Sequence, residues 1–270
     1  MRPSALVDAL DDTHFGGKAA SLARTLRPGL PVPPGFALGT MHVDAVFDGD
    51  AEAVTHLRVE FAALAGPCAV RSSAIGEDSE GASFAGQHVT VLNVRHQDRV
   101  VDAVLEVRES AHTESARAYR RTLGTDEAPR VGVVVQRMIE PDCAGVMFTK
   151  NPLNGSDERI IEASWGLGES VVAGLVVPDN YALDGQGRVV RRTAGEKDIA
   201  LRSAPEGGTV EETVADELVA AFCLSDQMLA SLHDLAVRCE SFFGKGLDLE
   251  WAFAGGALYL LQCRAMTRNR

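Results

Sequence analysis

Apolar and polar positions recur with two different periods along this chain, and each change of period marks a new element. GGKAASLARTL (16–26) places its apolar residues at helical spacing behind two glycines, and GLPVPPGFALGT (29–40) is a proline-punctuated turn leading into a strand. AEAVTHLRVEFAALA (51–65) predicts a helix, CAVRSS (68–73) a short strand and HVTVLNV (88–94) another. Residues 96–123 carry a one-sided apolar stripe and predict one or two amphipathic helices. Three β-rich runs follow in VGVVVQRMI (131–139), AGVMFTK (144–150) and RIIEAS (159–164), then a long helical region over about 211–243. Strands and helices mix without strict βαβ alternation, so the expected class is α+β with largely antiparallel sheets. The weakest boundary is GTDEAPR (124–130), where polar turn residues separate helices from strands.

The chain's last patterned stretch, LDLEWAFAGGALYLLQCR (247–264), alternates as a hairpin does, yet it keeps Asp248, Glu250, Gln262 and Arg264 among apolar neighbours. A two-residue Gly255-Gly256 turn would pair Leu249 with Gln262 and set the faces of the two strands in conflict. A three-residue loop, Gly255 to Ala257, pairs Glu250 with Gln262 and Asp248 with Arg264. It also gathers Leu249, Trp251, Phe253, Tyr259, Leu261 and Cys263 on one apolar face. A slip of one residue exchanges the faces, so the hydrophobic pattern favours the second register.

Composition narrows the field. At 270 residues the chain can bury a large core, as one domain or two associated subdomains. A hydrophobic share of 46% with 24% charged residues is ordinary for a globular protein. No apolar run approaches the roughly 18 residues of a membrane span, and MRPSALVDALDD has no basic-then-apolar leader pattern. A cytoplasmic protein without a membrane partner is therefore expected. The net charge of −12 argues against a nucleic-acid partner, which would demand a basic face. The five cysteines are scattered without a C-x-x-C pair, which favours buried reduced thiols over disulfides or zinc. The seven histidines read as ordinary surface or core residues.

Against that background a few polar groups stand out. In the favoured hairpin register Glu250 and Gln262 form an oxygen-donor pair suited to a hard cation such as Mg²⁺, and Arg264 adds a charge for a phosphate. A solvated hairpin face is the plain alternative. RSSAIGEDSEGASFAGQ (71–87) is dense in small residues whose backbone N–H groups can approach an anion, with Arg71 at its root to fork onto phosphate oxygens; an ordinary surface loop has the same composition. Gly16-Gly17-Lys18 puts a lysine at a helix N-terminus, a second candidate phosphate contact, for which a solvated helix charge is the plain alternative. It is no Walker A motif, since Ala19 stands where Ser or Thr is required. Glu162 and Glu169 in IEASWGLGES could touch a ribose or position a loop, and Trp165 is equally suited to packing.

Taken in order, GGKAASL, PVPPGFAL, VRSSAIGEDSEGASFAGQ, GVVVQRMI, AGVMFTKNP, IIEASWGLGESVVAG and DLEWAFAGGALYLLQCR resemble the nucleotide-binding domain of the phosphoenolpyruvate synthase and pyruvate phosphate dikinase family, which includes rifampicin phosphotransferases. They span Gly16 to Arg264. The resemblance implies an ATP-grasp-like α+β fold with a nucleotide cleft between two subdomains. Residues 1–125 would carry the phosphate-contacting Lys/Arg pair and the glycine-rich loop, and 126–270 the adenine-binding segment and the metal-binding hairpin. It further implies phosphate contacts at Lys18, Arg71 and Arg264, a covering loop and strand at Gly86, Thr90 and Val91, and adenine-edge contacts from Gln136 through Met138 to Ile139. Glu250 and Gln262 would hold Mg²⁺ against ATP. An ATP-dependent phosphotransferase passing a phosphoryl or pyrophosphoryl group to a histidine on a separate carrier is the function implied. The relatives continue past this point to a histidine-bearing swivelling domain, whereas this sequence stops at MTRNR. A stand-alone small-molecule kinase and a non-catalytic ATP-sensing module are the alternatives, the latter disfavoured by the presence of Lys18, Arg71, Glu250, Gln262 and Arg264 together.

Overall fold

The computed structural model describes residues 2–76, 89–113 and 130–266. They fall into two compact units. The first comprises described residues of Met1–Pro28, Pro33–Met138 and Ala204–Gly208, and the second Gly29–Val32, Ile139–Ser203 and Thr209–Arg270.

In the first unit, β1 (Ser4–Ala5), β2 (Gly35–Leu38), β3 (Cys68–Ala74), β4 (Thr90–Val94) and β5 (Val131–Arg137) form an antiparallel sheet in the order β1-β2-β5-β3-β4. The helices are α1 (Asp12–Phe15), α2 (Gly17–Leu26), α3 (Thr40–Phe47), α4 (Ala51–Ala63) and α5 (Gln97–Ser110). Cross-strand partners share a face. Cys68, Val70, Val133 and Val135 therefore present one apolar face, which packs with Val43, Leu57, Val100 and Val104 of α3, α4 and α5. Asp50 starts α4, its carboxylate accepting from the Ala53 N–H at 2.8 Å. The chain leaves this unit at Met138/Ile139, downstream of the division expected at 125/126, because β5 is hydrogen-bonded to both β2 and β3 in the middle of the first sheet.

The second unit is a six-stranded antiparallel sheet ordered β13-β12-β6-β7-β8-β9, from β6 (Cys143–Phe148), β7 (Arg159–Trp165), β8 (Asp179–Leu183), β9 (Val189–Thr193), β12 (Leu247–Ala254) and β13 (Ala257–Ala265). A separate ribbon pairs β10 (Ile199–Ser203) with β11 (Thr209–Thr213). Its helices are α6 (Glu169–Val172), α7 (Asp216–Val219) and α8 (Asp226–Phe243). α8 packs on β12 and β13, and its Glu240 accepts from Arg159 Nη2 at 3.0 Å, which places the helix on the face carrying Leu249, Cys263, Met147, Ile161 and Tyr181. Lys197 and Asp179 form a fully buried ion pair at 2.6 Å. The remaining lone pairs of Asp179 accept from the Gly195 N–H, the Cys223 N–H and the Tyr181 hydroxyl, the satisfaction a buried charge pair requires.

The helical region expected over 211–243 is divided. β11 runs to Thr213, α7 is a single turn, and α8 begins after Ser225, whose hydroxyl accepts from the Met228 N–H. β9 and β11 give no sequence signal because they are exposed along most of their length, and β8, though buried, begins with the polar pair Asp179 and Asn180 rather than an apolar alternation.

The hairpin itself combines both registers weighed from the sequence. Ala254 pairs with Ala257 across a two-residue turn in which Gly255 and Gly256 have φ of 55° and 79°, the conformation a primed hairpin turn demands. A bulge then shifts the pairing between Glu250 and Trp251, so that Trp251 faces Leu260 while Glu250 faces Gln262 and Asp248 faces Arg264. The expected polar pairs are present, but the three-residue loop is not. Tyr259 lies opposite Ala252 rather than joining Trp251 and Phe253, and Leu261 is the extra residue.

Candidate functional site

Four polar side chains share the face of the second sheet turned away from α8. Glu250 lies directly opposite Gln262, and Asp248 opposite Arg264, one step along the ladder. Gln262 is buried and Glu250 half-buried. Arg264 donates from Nε and Nη2 to Oδ2 of Asp248 at 3.0 and 2.8 Å, which fixes the plane of its guanidinium. Burial raises the Asp248 carboxyl above the usual carboxylate range, outweighing the guanidinium that lowers it; the neighbouring Glu250 charge adds to the rise. From the sequence Asp248 has no role of its own, although its parity with Glu250 and its register partner Arg264 signal the contact that the structure shows.

The pairing Glu250–Val146–Glu162 runs across β12, β6 and β7, so Glu162 lies on the same face as Glu250 with one strand between. Trp165 is engaged structurally, its indole Nε1 donating to the Leu218 carbonyl at 3.1 Å.

The first sheet has a polar face of its own, opposite the α3–α5 core. Arg71 pairs with Thr90 on one side and Val134 on the other, and Gln136 pairs with Ala69, so Arg71, Ser73, Thr90 and Gln136 all lie on that face. α2 starts there. The Ala19 N–H donates to Ser73 Oγ at 2.9 Å, which places Lys18 two residues along β3 from Arg71, about 7 Å of strand. Gly16 makes this approach feasible: its φ is 84°, and a Cβ there would stand 1.9 Å from the Ser73 carbonyl oxygen. Ser73 carried no sequence signal for this role, since its partner is 54 residues away. Val91 pairs with Val70, and its side chain packs against the apolar core rather than toward Arg71.

The segment from Gln136 to Ile139 follows β5. The Gln136 amide donates to the Pro33 carbonyl at 3.0 Å, and the Met138 N–H to the Pro67 carbonyl at 2.8 Å. Ile139, half-buried, opens the second unit. Gly86 lies outside the described residues.

One carboxylate and one amide oxygen on adjacent strands fit a hard, oxygen-seeking cation that completes its shell with water and phosphate oxygens, as Mg²⁺ does. Among the described residues no group of three or more His, Cys, Asp or Glu side chains forms an all-protein cage. All five cysteines are buried and free of disulfides; burial pushes the Cys68 thiol up to about 12.

Residues 49–270 match the family described as "Pyruvate phosphate dikinase, AMP/ATP-binding domain". Over 93% of its length the chain is 32% identical to a Bacillus subtilis (strain 168) protein named uncharacterized phosphotransferase YvkC, of which it covers 33%. It is 42% identical, over 74% of its length, to 29% of a probable phosphoenolpyruvate synthase of Methanothermobacter thermautotrophicus. A rifampicin phosphotransferase from a Streptomyces species is 33% identical over 97% of the chain and 35% of that protein. The chain thus spans about a third of the curated relatives it matches. A solved D-alanine–D-alanine ligase from Bacillus anthracis aligns with 96% of the chain and 56% of its own at 11% identity and a TM-score of 0.42, a distant likeness. The extent of the family match, together with relatives above 30% identity over nearly the whole chain, is decisive: the chain belongs to the pyruvate phosphate dikinase AMP/ATP-binding domain family.

Proposed function

We propose that this chain is the nucleotide-activating part of an ATP-dependent phosphotransferase with an ATP-grasp-like fold. It binds ATP with Mg²⁺ and passes a phosphoryl or pyrophosphoryl group to a histidine on a separate carrier chain or domain. The observation that carries this reading is the hairpin face, where Glu250 sits opposite Gln262 beside an Arg264 already held in plane by Asp248. Family membership supports the choice of nucleotide.

Phosphoryl transfer asks a protein chiefly to align donor and acceptor and to neutralise charge on the transferring oxygens. Glu250 and Gln262 would hold Mg²⁺, which when bound would supply positive charge against the phosphate oxygens. Arg264 presents a fork with fixed geometry to a phosphate, and Arg71 a second one. Lys18 adds a compact charge at the start of α2. Thr90, on the face of β4 that it shares with Arg71, covers the nucleotide, and Val91 supports it from the core side. The backbone from Gln136 through Met138 to Ile139 meets the adenine edge. No described helix is long and apolar enough to cross a membrane, and a cytoplasmic location belongs to this reading.

The test is incubation with Mg-ATP alone, with pyruvate and with histidine-bearing carrier proteins, with nucleotide products separated by chromatography. AMP formed only when a carrier is present supports the proposal. ADP formed with a small acceptor replaces it with a direct kinase, and binding without turnover across all acceptors replaces it with a sensing module.

A further inference from the structure

Asn93 does three things that none of the roles above requires. It lies in β4 with φ at 53°, in the left-handed region, and it is one of two non-glycine residues with positive φ among those described. The pairing between β3 and β4 slips by one residue at this place, from Val70 opposite Val91 to Cys68 opposite Val94, so Asn93 sits in a β-bulge. Such a bulge re-aims a side chain out of the regular ladder, and asparagine is among the few L-residues that tolerate the conformation.

The nitrogen of the redirected amide is engaged twice. Asn93 Nδ2 donates to the carbonyls of Ala204 and Gly208, each at 2.7 Å. Those two residues bound the turn of the β10–β11 ribbon, which is itself closed by the Ala204 N–H on the Gly208 carbonyl. The backbone N–H of Asn93, freed from the ladder by the bulge, points to Met138 Sδ at 3.1 Å. Asn93 is 1% exposed, and its Oδ1 has no partner among the described residues. A strained backbone and a buried acceptor without a donor each cost free energy, and both persist where the surrounding structure needs the arrangement. What this arrangement holds is the Met138 side chain and the Ala204–Gly208 turn, both in the first unit.

We infer that Asn93 is a positioning residue for the nucleobase: by fixing Met138 and the ribbon turn, it sets the wall against which adenine packs. This rests on the reading that Gln136 to Ile139 meets the adenine edge. Asn93 itself touches no phosphate group in this account. Its loss weakens the grip on the base and leaves the grip on the phosphates as it was.

The experiment measures equilibrium binding of Mg-ATP and of magnesium tripolyphosphate, which carries the phosphates without the nucleoside, to the whole chain. Asn93→Gly keeps the left-handed backbone and removes the amide. The expected result is ATP affinity lower by about tenfold, the scale of one net hydrogen bond, with tripolyphosphate affinity unchanged. Met138→Leu leaves Asn93 and the turn intact and removes only the sulfur acceptor; it should shift ATP in the same direction and spare tripolyphosphate. Equal weakening of both ligands, or of neither, in a folded Asn93→Gly protein overturns the inference, and if that variant does not fold, an unchanged ATP affinity in Met138→Leu overturns it. Wild-type protein that binds the two ligands equally well would show instead that the nucleobase segment is misassigned, and the inference would fall with it.

Discussion

At the level of single residues, Asp248 separates a structural from a functional contribution. Its two contacts with Arg264 set the guanidinium plane, yet burial makes its own charge unfavourable, so its folded-state proton affinity is raised. For an acid with a raised folded-state pKa, the stabilising contribution is present at pH below the unfolded value and is lost as pH rises through the folded value. Asp248→Asn removes that titration. Relative to wild type, the variant is predicted to be least stable in acid and to recover towards or past wild type at neutral pH, as read by denaturant unfolding at several pH values. Turnover at neutral pH should nevertheless fall by about 10- to 100-fold, because the arginine loses its fixed orientation. A fall in stability that tracks the fall in turnover at neutral pH would reduce Asp248 to a packing residue. Glu250, Gln262 and Arg264 could be read from the sequence because strand parity and one register choice are enough to bring them together. Ser73 and Asn93 could not, since what makes them matter is a contact across the fold in one case and a bulge in the other.

Among the elements, two junctions decide where the charged groups stand. The start of α2 rests on Ser73 only because residue 16 has no side chain and adopts a positive φ. Gly16→Ala adds a left-handed backbone penalty to a collision with the backbone of β3, together roughly 3 kcal/mol or more. A large drop in melting temperature with weakened ATP binding is the expected outcome; a wild-type melting curve would mean that α2 can start elsewhere. The closing hairpin teaches a different lesson about legibility. The glycine pair correctly signals a two-residue turn, and the apolar pattern correctly demands Glu250 opposite Gln262, but the two are compatible only through a bulge at Leu261. A rule that assumes an unbroken ladder must give up one to keep the other. The strands β8 to β11 lack a signal for a plainer reason: each is five residues long, β9 and β11 are exposed, β10 is largely half-buried, and β8, though buried, opens on Asp179 and Asn180, so none shows an apolar–polar alternation to detect.

On the scale of the molecule, the chain is two units, each with a helix-covered apolar face and a polar face, and the polar faces carry the proposed nucleotide contacts. The net charge is −12, and the proposed phosphate contacts are Lys18 and Arg71 on the first unit and Arg264 on the second, so the proposed anion binding is a matter of local placement rather than of overall charge. The central claim is that Glu250 and Gln262 make ATP binding depend on Mg²⁺. Calorimetric titration of ATP into wild-type protein and Glu250→Ala, each with Mg²⁺ and with chelator, tests it most directly. The account predicts that Mg²⁺ tightens ATP binding to the wild type and that the variant loses roughly tenfold or more of that gain. A folded Glu250→Ala protein that keeps the whole Mg²⁺-dependent gain would contradict it.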